Sequence, residues 1–181
     1  VLRHFRQDLD GAFEDFSAAI RLDPRDTKSY VNRATVRHVR QDYAGAVADC
    51  SEAIRLDPKY RDAWYNRAVA YQAMGNLHGA LDDYTEALRL DPKMAAAWNN
   101  RGNVRCDLGD HAGGCEDLTE ALALEPRNPQ TRYNRSRARY DRGDIRGAIE
   151  DLEAALRDGP VEWRGREAAA KSLEALRKRA N

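Results

Sequence analysis

From Leu77 to Leu90 apolar side chains recur at Leu77, Leu81, Tyr84, Leu88 and Leu90, the spacing of one face of an α-helix. Just before them a second amphipathic stretch carries Ala63, Trp64, Arg67, Ala68, Tyr71 and Met74. Between the two stand Gly75 and Asn76. Gly suits the left-handed residue that ends a helix, and Asn caps the next by accepting from exposed N–H groups. A Leu-Asp-Pro sequence closes the second stretch at Pro92. The pattern predicts a helix hairpin, helix A followed by helix B.

The hairpin repeats. Five of the six prolines fall at Pro24, Pro58, Pro92, Pro126 and Pro160, each 34 residues after the last. A fixed period of that size sets the fold class before any local reading does. With these prolines at repeat position 32, whole repeats occupy 27–60, 61–94, 95–128 and 129–162. A partial repeat, 1–26, precedes them as the end of helix A plus helix B, and 163–181 reads as a further amphipathic helix. Position 16 is Asp8, Asp42, Asn76, Asp110 and Asp144, a column of helix caps. Position 15 is Gly in three repeats and Gln at Gln7 and Gln41. Small residues recur at position 8 (Ala34, Ala68, Gly102, Ser136), position 20 (Ala12, Ala46, Ala80, Gly114, Ala148) and position 27 (Ala19, Ala53, Ala87, Ala121, Ala155), where helix axes approach closely.

Together with an aromatic at position 4 (Tyr30, Trp64, Trp98), these columns resemble the tetratricopeptide repeat family over about 160 residues. The resemblance implies an all-α, right-handed α-α superhelical solenoid with a C-terminal capping helix. The sequence departs from the family at position 7, which is Arg33, Arg67, Arg101 and Arg135. It departs again at position 11, with Arg37, Arg105 and Arg139, and at Arg132, which replaces the position-4 aromatic.

Charge sharpens this picture. The chain has 30 Lys+Arg against 30 Asp+Glu, and 25 of the basic residues are Arg. No apolar run approaches the ~20 residues of a membrane span, and a balanced charge gives no field for a nucleic-acid backbone. Arg at this frequency points to multidentate pairing. Position 23 is Asp throughout (Asp15, Asp49, Asp83, Asp117, Asp151), and position 26 adds Glu52, Glu86 and Glu120. Their columns predict a ladder of ion pairs between repeats. Three Cys make no disulfide scaffold and suit a reducing, cytoplasmic setting. A Cys106–Cys115 bridge is conceivable, but two thiols are the expectation.

No phosphate loop, His-Glu-x-x-His motif, nucleophile elbow or Cys-x-x-Cys motif is present, so no enzyme activity and no cofactor are expected. His4 and His38 share position 12 without a recurring third metal ligand. The resemblance implies instead a concave groove lined by the A helices, binding a protein or peptide. Position 6 places Asn32, Asn66, Asn100 and Asn134 there, amides suited to an extended peptide backbone or, alternatively, to bonding neighbouring helices. Tyr65, Asn99, Tyr133, Asn103, Arg137, His38 and Gln72 complete the expected groove. Position 5 never carries Lys and position 6 never carries Arg, which disfavours the carboxylate clamp of chaperone-binding relatives. Val1 falls at repeat position 9, so the chain reads as part of a longer protein, and Leu2, Phe5, Phe13 and Phe16 would form an apolar edge. That edge leaves a self-assembling scaffold, a homo-oligomer, as the second reading.

Overall fold

The computed structural model describes residues 2–180, with side chains from Leu9 to Arg179. Among the described residues it is all-α, with ten helices and no strand. These are α1 (Leu2–Leu22), α2 (Thr27–Val39), α3 (Tyr43–Leu56), α4 (Arg61–Ala73), α5 (Leu77–Leu90), α6 (Ala95–Asp107), α7 (His111–Leu124), α8 (Pro129–Asp141), α9 (Ile145–Asp158) and α10 (Arg166–Ala180). They fall into two compact units, 1–92 and 93–181. The four expected hairpins are α2–α3, α4–α5, α6–α7 and α8–α9.

Local chemistry places the hairpin turns and the starts of the B helices. Asp42, Asn76, Asp110 and Asp144 accept from the backbone N–H of Gly45, Gly79, Gly113 and Gly147 at 2.9–3.2 Å. Gly75, Gly109 and Gly143 take φ of 76°, 88° and 82°, the left-handed stop expected of them. Gln41 takes φ 64° as well, so the stop is made even without Gly. The B helices α3 and α5 end at Asp57 and Asp91, both extended because a following proline excludes the helical conformation.

The first repeat behaves differently. Helix α1 runs unbroken from Leu2 to Leu22, so Asp8 lies inside a helix and is no cap. The side chains of Leu2, His4 and Phe5 lie outside the described residues. Phe13 and Phe16 are half-buried, and Phe13 lies beneath the guanidinium groups of Arg33, Arg37 and Arg40. These two therefore do not form the open apolar edge expected of them. Leu22, at the end of α1, is 89% exposed.

Small residues set the helix spacing. Ala34, Ala46, Cys50 and Ala70 form one core cluster of the first unit, and Val31, Ala53, Ile54 and Ala63 another. In the second unit a Cβ on Gly102 would sit 3.0 Å from the Gly114 carbonyl and 2.9 Å from Leu118, which shows how closely α6 approaches α7. Helix α10 caps the second unit, burying Ala169, Leu173 and Leu176 against Ala148 and Leu152.

The Arg and Asp columns pair within repeats, not between them. Arg33, Arg67, Arg101 and Arg135 each donate through Nε and Nη2 to both oxygens of Asp49, Asp83, Asp117 and Asp151, at 2.6–2.9 Å. Each pair spans the antiparallel helices of a single hairpin, which brings positions 7 and 23 face to face. The link to the preceding repeat is neutral: Nη1 of Arg33, Arg67 and Arg135 donates to the hydroxyls of Ser17, Ser51 and Thr119. Position 11 adds a second cation, with Arg105 and Arg139 each 3.0 Å from the same carboxylates. Glu52 and Glu86 take no part, being paired with Arg55 and Arg89 on their own helices.

Candidate binding face of the A helices

In the first unit the expected groove residues lie on α2 and α4. Asn32 is exposed and Asn66 half-buried, and neither amide makes a hydrogen bond among the described residues. Thr35 and Val39 are exposed beside Asn32. Tyr65 packs on the fully buried Tyr84, ring centroids 5.8 Å apart, while the Tyr84 hydroxyl donates to Gln72 Oε1 at 3.0 Å. Gln72 is thereby turned onto its own hairpin. His38 leans on Tyr43 in the same way, centroids 5.2 Å apart. Val31, at position 5, is core at 5% exposure.

In the second unit the amides are joined to one another. Gln130 donates to Asn134, Asn134 to Asn99 and Asn99 to Asn100, each at 2.9–3.0 Å, and the Trp163 indole donates to Gln130 at 3.2 Å. Asn134 is buried and uses both its carbonyl and its amino group in this relay. Its amide serves helix packing. Asn103 is half-buried, Arg137 is exposed, and neither has a hydrogen-bond partner among the described residues. Tyr133 packs edge-on against Trp163, 6.3 Å between centroids.

The groove expected from the sequence names no residue at position 13. That column carries Val39 and Ala73 in the first unit but Asp107 and Asp141 in the second, on the same helices as the Asn column. It could have been read from the repeat register. Ser172 and Arg179 of α10 also reach the A-helix face of the second unit and carried no such signal, since the capping helix breaks the repeat pattern.

The rest of the titratable chemistry is structural. The described cysteines are free thiols. Burial pushes Cys50 up to about 12, and burial followed by the neighbouring Cys115 pushes Cys106 up to about 11. Bonding to Asp49 and Asp83 raises the already high values of Arg33 and Arg67. No group of three or more His, Cys, Asp or Glu side chains could hold a metal among the described residues. No described helix is long and apolar enough to cross a membrane. What the face offers a ligand is hydrogen bonds, a few apolar patches and separated charges.

Family models described as tetratricopeptide repeat or TPR repeat match residues 36–75, 62–94, 106–162 and 133–180. A comparison with curated protein sequences finds no match. Among solved structures, a thermophilic TPR protein of Thermus thermophilus is similar at 23% identity and TM-score 0.77, over 96% of this chain and 94% of that one. A tetratricopeptide repeat protein from Parabacteroides merdae aligns at 21% identity and TM-score 0.78, over 94% and 66%. YrrB, described as a TPR protein with an unusual peptide-binding site, aligns at 20% identity and TM-score 0.76, over 89% and 81%.

Proposed function

The chain belongs to the tetratricopeptide repeat family, and from that premise we propose that it is a non-catalytic interaction module whose A-helix face binds an extended peptide segment. One observation carries the reading. In the first unit, the exposed Asn32 and the half-buried Asn66 have no hydrogen-bond partner for their amides among the described residues, and the same A helices carry Val39 and Tyr65 as apolar contacts. An amide supplies one acceptor and two donors, the complement of an extended backbone. The peptide-binding site described for YrrB is in keeping with this use of the fold.

Partner capture by affinity purification, with an Asn32→Ala/Asn66→Ala variant as control, tests the proposal. A specific partner should be retained by the unaltered chain and lost by the variant. Equal retention by both excludes these amides as the site.

A further inference from the structure

The last hairpin differs from its neighbour in one measurable respect. Ser136, Arg137, Tyr140 and Asp141 of α8, Leu152 of α9, and Ser172, Ala175, Leu176 and Arg179 of α10 line a half-open cavity of about 400 Å³. One repeat earlier the same columns are Asn103, Cys106 and Asp107, and the space between them and α8 is about 10 Å³. The difference follows from the capping helix. Helices α4, α6 and α8 begin at the first position of their repeats, whereas α10 begins only at Arg166, after a turn carrying Trp163 and Gly165. It packs on α9 through Leu173 and Leu176 and leaves room beside α8.

The lining has a definite chemistry. Its floor is apolar, from Leu152 at 1% and Leu176 at 8% exposure, with the Tyr140 ring as a wall. Its rim carries two guanidinium groups. Arg137 has no ion pair among the described residues, in a chain whose other A-helix arginines are mostly paired. Arg179 donates to the Tyr140 hydroxyl and stands 5.8 Å from the Tyr140 ring, bound to no carboxylate among the described residues. The one acidic group on the rim, Asp141, has its carboxylate 3.7 Å from His111 Nδ1 on α7. Two forked cations against one carboxylate leave the rim short of negative charge, and guanidinium groups bind carboxylates with two parallel hydrogen bonds. The volume lies within the roughly 300–1,000 Å³ of small-ligand sites.

The geometry points to a subsite for a carboxylate carried on an apolar body, such as the free C-terminus of a peptide ending in an aliphatic residue or an acidic side chain next to one. The aliphatic part fills the space over Leu152, Leu176 and Tyr140, and the carboxylate bridges Arg137 and Arg179. This deepens the peptide-binding reading and rests on it, because the cavity opens beside α8, an A helix. It replaces the Lys-dependent clamp that the sequence lacks with a different pair of cations.

NMR titration of the full chain tests it with probes small enough to occupy the cavity alone. Acetyl-Ala-Ala-Leu with a free carboxylate should shift resonances of Ser136, Tyr140 and Ser172, and its C-terminal amide should bind at least about tenfold more weakly, the worth of one charged hydrogen-bonded pair. Arg137→Met and Arg179→Met should each reproduce that loss with helicity unchanged, and Arg137→Lys should recover part of it. A fully amidated peptide with an internal Glu-Leu pair distinguishes the two sources: tighter binding than the free-terminus probe assigns the subsite to an acidic side chain, and weaker binding to a chain end. Equal affinity of acid and amide, shifts confined to other surfaces, or no binding of either carboxylate at several millimolar would overturn the proposal. The short probes are not built to engage Asn32 or Asn66, so their binding stands apart from the groove test.

Discussion

Arg101 clasps Asp117 through two parallel bonds of 2.8 Å, and Arg105 reaches the same carboxylate at 3.0 Å. Asp117 is 2% exposed, so its charge rests on these two arginines and on no solvent. Removing one partner of such a pair leaves a buried charge uncompensated, at about 3–5 kcal/mol. Arg101→Met should therefore lower the melting temperature by about ten degrees, given about 2–4 °C per kcal/mol at this chain length. Arg101→Met combined with Asp117→Leu should recover much of the loss. Thermal denaturation followed by circular dichroism checks both.

Gly114 has no room for a methyl group. A Cβ there would meet Cys106 Sγ and lie 2.8 Å from the Gly102 carbonyl, a backbone atom that cannot rotate away. Overpacking of this kind costs about 1–3 kcal/mol, more than the roughly 1 kcal/mol that Ala gains over Gly as a helix former. Gly114→Ala should be net destabilising in urea denaturation, against the propensity trend.

Gln41 offers the opposite case. It holds φ 64° where its counterparts are Gly, so Gln41→Gly should stabilise the chain by about 1 kcal/mol. The urea midpoint should rise without a change in slope.

The thiols predict an alkaline limit. Cys50 is pushed from 9.0 up to about 12, and Cys106 from 9.0 up to about 11. Because the folded values are raised, the stability they represent is complete below pH 9 and is lost as pH rises through the folded values. The unfolded chain ionises first, so each thiol should remove about 1.4 kcal/mol per pH unit between about pH 9 and 11. Cys50→Ala should flatten that slope. Cys50 in the native chain should also react slowly with alkylating reagents at about pH 8, where a buried thiol carries almost no thiolate.

Arg132 and Asp158 should behave as one unit. Arg132 Nη2 donates to the Pro126 carbonyl at 2.6 Å, repeating with a guanidinium the bond that Trp64 Nε1 makes to Pro58 at 3.0 Å two repeats earlier. Its Nη1 contacts Asp158, which replaces the Leu found at that position in the other repeats, and the guanidinium holds the Asp158 carboxyl below the usual carboxylate range. Asp158→Leu alone should weaken the fourth hairpin, and Arg132→Trp added to it should compensate. A double-mutant cycle read by thermal melting measures the coupling.

The repeat columns made the fold legible because helix caps, Gly stops and the Asp-Pro ends act locally and recur in register. They did not say which carboxylate each Arg would find. Positions 7 and 23 are neighbours in both a within-repeat and a between-repeat geometry, and only the observed packing selects Arg33 with Asp49. The Gly column at position 19, including Gly45, Gly79, Gly113 and Gly147, adds no apolar or charged side chain to the pattern. In the structure its N–H binds the cap while the carbonyl of Gly45, Gly113 and Gly147 accepts from Arg37, Arg105 and Arg139. The binding face was half legible. Asn32 and Asn66 keep amides without a hydrogen-bond partner among the described residues, while Asn134 is consumed by Gln130 and Asn99, partners on two different helices that no single column reveals.

Every Arg–Asp clasp joins residues 16 apart in the chain. Each closes a short loop, so the entropy lost in forming it is small and the same in all four hairpins. Contacts of such low order favour rapid folding, and identical closures give no hairpin a unique claim to form first. Folding should then start at several places along the chain and spread to neighbours through the Ser and Thr hydroxyls that the same arginines hold.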